Sequence, residues 1–290
     1  MQKPTLANWL SILALGVIWG GTFMVVALAL RGYGPLTVAA ARTGLAATAL
    51  VVLAVILRRP LPKISVDLGL YIAAIGALST AVPFFLLSWG QQYVPSAFAG
   101  LSMAAVPIFV LPMAHMFVPG DRMQFRKIAG FGLGFLGVMF LVGADAFTGD
   151  AAILPRLACL GAALCYAVSS VVTRRCPPID PVLLAAASLV VGSVLLIPAM
   201  LAIEGLPAMA APIPMAAIVI LGLVPTALAT LIRVQVIRTA GPSFLTLVNY
   251  QVPLWSVLFG TLVLGETLSS RFFAALGMIL AGLALSQRRR

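Results

Sequence analysis

The chain has 290 residues, of which 62% are hydrophobic and only 9% are charged, and its mean hydropathy is +1.14. Such a chain has too few polar groups to cover a water-facing surface, which excludes a soluble globular fold. Its formal net charge of +11 comes from 18 Lys and Arg residues against 7 acids, and nearly all these bases lie in gaps between long apolar runs. A soluble nucleic-acid-binding protein would spread its bases over one face, so the pattern predicts a membrane protein without a nucleic-acid partner.

Ten apolar stretches of roughly 20 residues, the length that a membrane-spanning helix needs, follow one another along the chain. In chain order they are about Trp9–Leu30, Leu36–Leu57, Val66–Tyr93, Ser96–Val118, Arg126–Gly143, Ile153–Thr173, Pro181–Ile203, Ile213–Arg233, Gly241–Leu264 and Leu268–Gln287. We therefore predict an all-α integral membrane protein with ten transmembrane helices and no sizeable domain outside the bilayer. Only Lys3 precedes the first stretch and no small-residue cleavage pattern follows it, which favours a retained helix over a signal peptide.

The bases also predict how the helices are oriented. With ten helices, the N-terminus and the loops after the even-numbered helices share one side of the membrane, and this side holds 14 of the 18 bases. The opposite side holds 3, which are Arg31, Arg156 and Arg271, and Arg42 falls inside the second helix. By the positive-inside rule, both termini are cytoplasmic and the protein lies in the inner (plasma) membrane of the cell.

The two halves of the chain resemble each other. Pro107 and Pro253 are 146 positions apart, and Asp121 and Glu266, each preceded by Gly, are 145 apart. We predict a five-helix repeat over residues 1–147 and a second one over residues 148–290. Because five is odd, the second repeat enters the membrane inverted, which is typical of secondary transporters that rock around a site near the bilayer midplane. The alternative is chance recurrence in a chain with 20 Pro and 26 Gly.

The chain resembles the drug/metabolite transporter superfamily, and within it the EamA-type ten-helix transporters. The resemblance covers nearly the full length and rests on Trp19-Gly20-Gly21-Thr22-Phe23, Pro83, Tyr93-Val94-Pro95-Ser96-Ala97, Pro107 and the Gly-Asp or Gly-Glu pair before the last helix of each half. Asp121 departs mildly from the family pattern, in which Glu is commoner. The resemblance implies export or exchange of small metabolites, often amino acids. It also implies a central cavity between helices one, three and four of one half and helices six, eight and nine of the other.

Polar groups are costly in lipid, so each polar residue within the predicted spans is a candidate for substrate binding. Helix nine places Asn249, Tyr250 and Gln251 directly before Pro253, which frees a backbone carbonyl one turn earlier. Amide side chains beside such a carbonyl can bind both a donor and an acceptor of a ligand. The alternative is hydrogen bonding between helices. The repeat aligns Ser102 with Asn249, although packing is the favoured interpretation for this serine.

Aromatic and basic residues add further candidates. Trp19 and Tyr166 lie 147 positions apart at mid-helix and are predicted to form walls of the cavity, or simple core. Arg42 either binds a substrate carboxylate or phosphate bidentately, or snorkels outward or pairs with carbonyl groups of a neighbouring helix. The second interpretation is favoured, because the resemblance makes helix two peripheral to the cavity. Gln92 lines an outer vestibule or caps helix three, and His115 is a relay candidate favoured as a packing residue.

All seven acids are predicted to lie at helix ends or in loops. A proton or sodium relay usually needs a carboxylate within the membrane, so facilitated diffusion or exchange is favoured over proton coupling. We predict a transporter of a small-molecule substrate, with no catalytic residues, cofactor or metal. One alternative is a flippase of lipid-linked substrates with the same fold. The other is an intramembrane enzyme, for which the HExxH motif and paired mid-membrane aspartates are absent. Pairing into a homodimer is left open.

Overall fold

The computed structural model describes residues 5–62, 65–117, 125–142, 153–240, 242–245 and 247–287, and every regular element within them is a helix. In chain order the helices are α1 (Leu6–Ala29), α2 (Pro35–Ile56), α3 (Val66–Gly90), α4 (Ser96–Ser102, Met103–Ala105 and Val106–Phe117 in succession), α5 (Phe125–Val142), α6 (Ile153–Arg175), α7 (Pro181–Ile203), α8 (Pro212–Leu221, Gly222–Leu228 and Ala229–Ala240 in succession), α9 (Val248–Leu264, after a helical turn at Pro242–Leu245) and α10 (Ser270–Gln287). The predicted all-helical class is confirmed.

Six helical stretches are long and apolar enough to cross a membrane: Leu6–Ala29, Pro35–Ile56, Val66–Gly90, Ile153–Arg175, Pro181–Ile203 and Pro212–Arg233. The apolar parts of the remaining described helices are shorter. Large apolar side chains such as Val55, Leu70 and Val194 are exposed on the outside of the bundle, where a membrane protein meets lipid. The fold is therefore a multi-pass apolar helical bundle. The count of ten spans and the cytoplasmic placement of both termini stay predictions.

Two helix ends differ from the predicted boundaries. α3 ends at Gly90, so that Gln91 and Gln92 lie in the turn after it. α8 continues to Ala240, seven residues beyond the predicted end at Arg233, because no turn-forming residue interrupts the helix there. It ends two positions before Pro242, whose ring disfavours helical backbone at the residue preceding it.

Glycines allow two pairs of helices to approach closely. α5 packs along α10, and an added Cβ at Gly137 would collide with Ile279. α1 also packs closely along α9. Gly16 lies against the Gln251 side chain, and Gly20 lies against the Trp255 side chain and the Val252 carbonyl oxygen. Small residues four positions apart form a common contact face between membrane helices.

Helices α2 and α7 pack along each other and are joined at both ends. At one end, the carboxylate of Glu204 accepts hydrogen bonds of 2.8 Å from the backbone N–H groups of Leu36 and Thr37, and one of 2.7 Å from the Thr37 hydroxyl. At the other end, Arg59 and Asp180 form an ion pair of 3.3 Å. An anion is favoured at a helix N-terminus, where backbone donors are unpaired. These contacts fix the rotation of α2 about its axis.

Glu266 makes a similar joint between the turn that follows α9 and the start of α4. Its two carboxylate oxygens accept hydrogen bonds from the backbone N–H of Ser96 at 2.6 Å and of Ala97 at 3.1 Å. Gly265 ends α9 in the left-handed conformation, with φ of 69°, which glycine adopts at low cost. The Gly-Glu pair therefore turns the chain and connects α4 to a helix far away in the sequence.

Candidate functional site

Two of the described helices contain a π-helical segment near their middle. α3 has a π-helical segment at Ala77–Ala81, and α8 has one at Gly222–Leu228. The α8 segment contains Pro225, which has no backbone N–H and so leaves the carbonyl four residues earlier, that of Leu221, without its usual donor. The Thr226 hydroxyl donates to this carbonyl instead, at 2.8 Å. Such π-helical segments are frequent at functional sites.

Arg42 of α2 contacts this part of α8. Its side chain is only 7% exposed, and its Nε donates a hydrogen bond of 2.9 Å to the Thr226 hydroxyl oxygen. Because Thr226 gives its own proton to Leu221, its oxygen lone pairs are free to accept from the arginine. The guanidinium carbon lies 3.8 Å from the centre of the Phe84 ring of α3, a cation–π distance. The side chain therefore points into the bundle and does not snorkel outward; the part of the favoured interpretation that pairs it with a neighbouring helix is closer, although its partner is a hydroxyl and not a carbonyl group.

Trp19 contacts the interrupted segment of α8, and Tyr166 packs near Phe84, the ring that lies against Arg42. The Trp19 indole nitrogen donates to the backbone carbonyl of Pro225 at 3.3 Å. Tyr166 of α6 packs against two core clusters, one of which contains Phe84, and it interacts electrostatically with Arg42. Both aromatic side chains are half-buried at mid-helix positions surrounded by core residues. Both side chains therefore take part in the packing between helices at this level of the bundle.

The convergence involves five helices, with Trp19 from α1, Arg42 from α2, Phe84 from α3, Tyr166 from α6 and the Pro225–Thr226 pair from α8. Within the described residues, the Tyr166 hydroxyl and the two terminal nitrogens of Arg42 donate no hydrogen bond, and no carboxylate forms an ion pair with Arg42. The site thus offers unpaired donors and one positive charge between aromatic side chains. It can bind an anionic or acceptor group of a small molecule.

The other predicted site residues lie elsewhere. Ser102 is fully buried and donates to the carbonyl of Phe98 in its own helix at 2.9 Å. Gln251 is half-buried between α9 and α1, where its amide nitrogen lies 3.5 Å from the Ile12 carbonyl oxygen. Both side chains thus have contacts in the helix packing. Asn249 is half-buried at the start of α9.

Three further expectations concern the ends of helices. Gln92 is exposed in the turn after α3. The acids that the structure describes all lie at helix ends or in turns, as predicted: Asp67, Asp180, Glu204 and Glu266. The side chains of Tyr250 and His115 and the acids Asp121, Asp145 and Asp150 lie outside the residues whose placement the structure describes.

The sequence analysis did not single out Phe84, Pro225 or Thr226 as site residues. A signal for them existed, because Pro83 and Pro225 each interrupt an apolar span and lie 142 positions apart, close to the repeat separation. Proline within a membrane helix requires a substitute donor for the freed carbonyl, and a threonine directly after it can supply one.

Known proteins match the chain over nearly its full length. Residues 7–143 and residues 154–287 each match the EamA-like transporter family. An uncharacterized inner membrane transporter of Escherichia coli (strain K12), YedA, is 30% identical over 279 residues, which are 95% of this chain and 89% of that protein. A probable terminal-alkyne amino-acid exporter of Streptantibioticus cattleyicolor is 33% identical over 138 residues, or 47% of this chain and 44% of that protein. A crystal structure with 19% identity has the same fold, with a TM-score of 0.70 over 98% of this chain and 99% of the other.

An apolar multi-pass bundle with polar and aromatic side chains gathered at mid-helix defines a membrane transport protein rather than an enzyme. The matches agree with this class, and the chain belongs to the EamA-like transporter family. It is a multi-pass protein of the inner (plasma) membrane. The resemblance to the drug/metabolite transporters is thereby confirmed.

Proposed function

We propose that the protein exports or exchanges small metabolites such as amino acids, by alternating access around a central cavity between two inverted five-helix repeats. The observation that carries the proposal is that Trp19 and Arg42 contact the interrupted middle of α8, while Tyr166 packs against the cluster that contains Phe84, the ring beneath Arg42. Unpaired donors inside an apolar bundle are costly, and they are typical of a substrate path. The amino-acid exporter that matches half of the chain supports the proposed substrate class.

The position of the acids supports exchange or facilitated diffusion. Asp67, Asp180, Glu204 and Glu266 lie at helix ends, and the last two accept hydrogen bonds from backbone N–H groups there. A coupling ion usually binds a carboxylate within the membrane, and the described residues place none there. Movement of substrate down its own gradient, or against a second substrate, needs no such group.

Counterflow in liposomes tests the proposal. The purified protein is reconstituted, a panel of amino acids and other small metabolites is loaded inside, and entry of the same labelled compounds is measured with and without a pH gradient. We expect counterflow of at least one compound at equal pH on both sides, and none in protein-free liposomes. Absence of counterflow for the entire panel would contradict the transport proposal, and uptake that strictly requires the pH gradient would contradict exchange.

A further inference from the structure

We infer that Arg42 binds the carboxylate of the transported molecule, so that the substrates are small monoanions or zwitterions with an apolar or aromatic body. The inference rests on the proposed function, because it names the substrate class for the same internal site. It is carried by the donors, the charge and the orientation of Arg42 as the structure presents them.

The donors of Arg42 are only partly used. A guanidinium carries five N–H groups in a planar fork. One of them, on Nε, donates to Thr226, and the four on the terminal nitrogens have no acceptor among the described residues. One face of the guanidinium plane lies against the Phe84 ring. The edge with the terminal nitrogens therefore keeps its donors available, and its two parallel N–H groups match the two oxygens of a carboxylate.

The charge of the site favours a group with a single negative charge, carried either by a monoanion or by the carboxylate of a zwitterion. Arg42 is 7% exposed, and no carboxylate in the described part of the chain neutralises it. A buried cation without a counter-ion is unfavourable, so an incoming anion with one charge gains attraction and leaves the site neutral. A doubly charged phosphate would leave an excess negative charge, and a cation would add to the positive one.

The neighbours of Arg42 fit the rest of such a molecule. Tyr166 packs against the cluster that contains Phe84, and its hydroxyl donates to no described residue. The Phe84 ring lies 3.8 Å from the guanidinium carbon, and Trp19 donates to the carbonyl of Pro225, the residue before Thr226, so both rings supply apolar surface near the arginine. These contacts favour a carboxylate that is attached to an apolar body.

Matched acids and amides test the inference. Binding is measured on the purified protein by its protection against thermal unfolding, with propionate, 3-phenylpropionate and L-phenylalanine and the amide of each. We expect at least one acid to bind about tenfold or more tightly than its amide, as a bidentate charged pair predicts. Arg42→Gln should abolish this preference, and Arg42→Lys should retain part of it, because lysine keeps the charge without the fork.

Arg31→Gln is the matched control, because Arg31 is an exposed arginine outside the helices, and its loss should leave the preference unchanged. The inference is overturned if no wild-type acid binds better than its amide, or if folded Arg42→Gln keeps the preference. If Arg42→Gln does not fold, Arg42→Lys decides, and an undiminished preference in that variant overturns the bidentate assignment.

The two proposals can fail separately. Counterflow of neutral or cationic metabolites alone would leave the transporter proposal intact and overturn the assignment of Arg42. An acid-over-amide preference that depends on Arg42, in a protein that shows no counterflow of any compound, would support the binding site and overturn the proposed transport.

Discussion

Thr226 links a broken helix to the buried arginine. Its hydroxyl donates to the Leu221 carbonyl, and its oxygen accepts from Nε of Arg42. The Thr226 hydroxyl is thus the acceptor of the buried arginine and an additional donor to a carbonyl of the π-helical segment. Because both bonds end on one oxygen, the orientation of the guanidinium depends on the interruption of α8.

Replacement of Thr226 by valine keeps the shape of the side chain and removes the hydroxyl. We expect the variant to lose about 1–3 kcal/mol of unfolding free energy, since the buried Nε of Arg42 loses its acceptor. Chemical denaturation of the purified protein in detergent measures this. Thr226→Ser keeps the hydroxyl and should stay close to wild type, and a valine variant as stable as the serine variant would contradict the hydrogen-bond chain.

At the residue scale, the sequence singled out Trp19, Arg42 and Tyr166 as candidates, because large polar or charged side chains are expensive in an apolar span. Thr226 could not be recognised in the same way. A threonine in a helix usually satisfies itself on a carbonyl one turn earlier, as Thr22 does here with Ile18 at 2.9 Å. Its role as the partner of Arg42 depends on how α2 and α8 pack, which no local pattern contains.

The contact between α1 and α9 depends on the absence of side chains at two positions of α1. A Cβ at Gly20 would collide with Trp255 and would also come within 3.0 Å of the Val252 carbonyl oxygen. Gly16 faces Gln251 in the same way. The close approach holds Trp19, which is adjacent to Gly20, beside the site.

We expect Gly20→Ala to lower the unfolding free energy by about 1–3 kcal/mol, because the added methyl group forces the two helices apart. Gly44→Ala is the matched control, since Gly44 lies in α2 with open space around the position of a Cβ. That change should be neutral or slightly stabilising, because alanine favours a helix over glycine. Equal effects of the two substitutions on the thermal unfolding midpoint would contradict the packing argument.

At the element scale, apolar length and proline position predicted most helices. The α1–α9 contact was not predicted. Gly20 belongs to a Trp-Gly-Gly segment whose glycines could face any neighbour, and the choice of α9 follows from the arrangement of the whole bundle. The length of α8 was missed because two arginines near its end resemble a loop.

For the whole molecule, the class of fold follows from composition alone, since so apolar a chain has to satisfy its backbone within helices. The orientation in the membrane depends on the bases between the helices. Cys176 lies in the turn directly after α6, and the prediction places this turn in the cytoplasm. Burial, together with the nearby charge of Asp67, raises the pKa of the Cys176 thiol above its usual value.

A variant that retains Cys176, with Cys159 and Cys165 replaced by alanine, tests the orientation. We expect a membrane-impermeant maleimide to label inside-out vesicles and not intact cells. Labelling should be slower than that of a free cysteine at neutral pH and should accelerate as the pH rises, because the thiolate reacts and the raised pKa keeps the thiol protonated. Arg31→Cys in a variant without the native cysteines should give the reverse sidedness, and labelling of Cys176 in intact cells would contradict the predicted topology.

The joint at Glu266 has a consequence for how the molecule can move. One side chain from the second half of the sequence fastens the first turn of a helix from the first half, through two short bonds to adjacent amides. Hydrogen bonds weaken steeply once they lengthen or bend. The Glu266 carboxylate and the first turn of α4 therefore separate by breaking these bonds and not by stretching them gradually. A solute gate that includes this joint would have two states, closed with both hydrogen bonds formed or open with both broken. The rate at which the bonds break would then limit how often a solute enters from this end of the bundle.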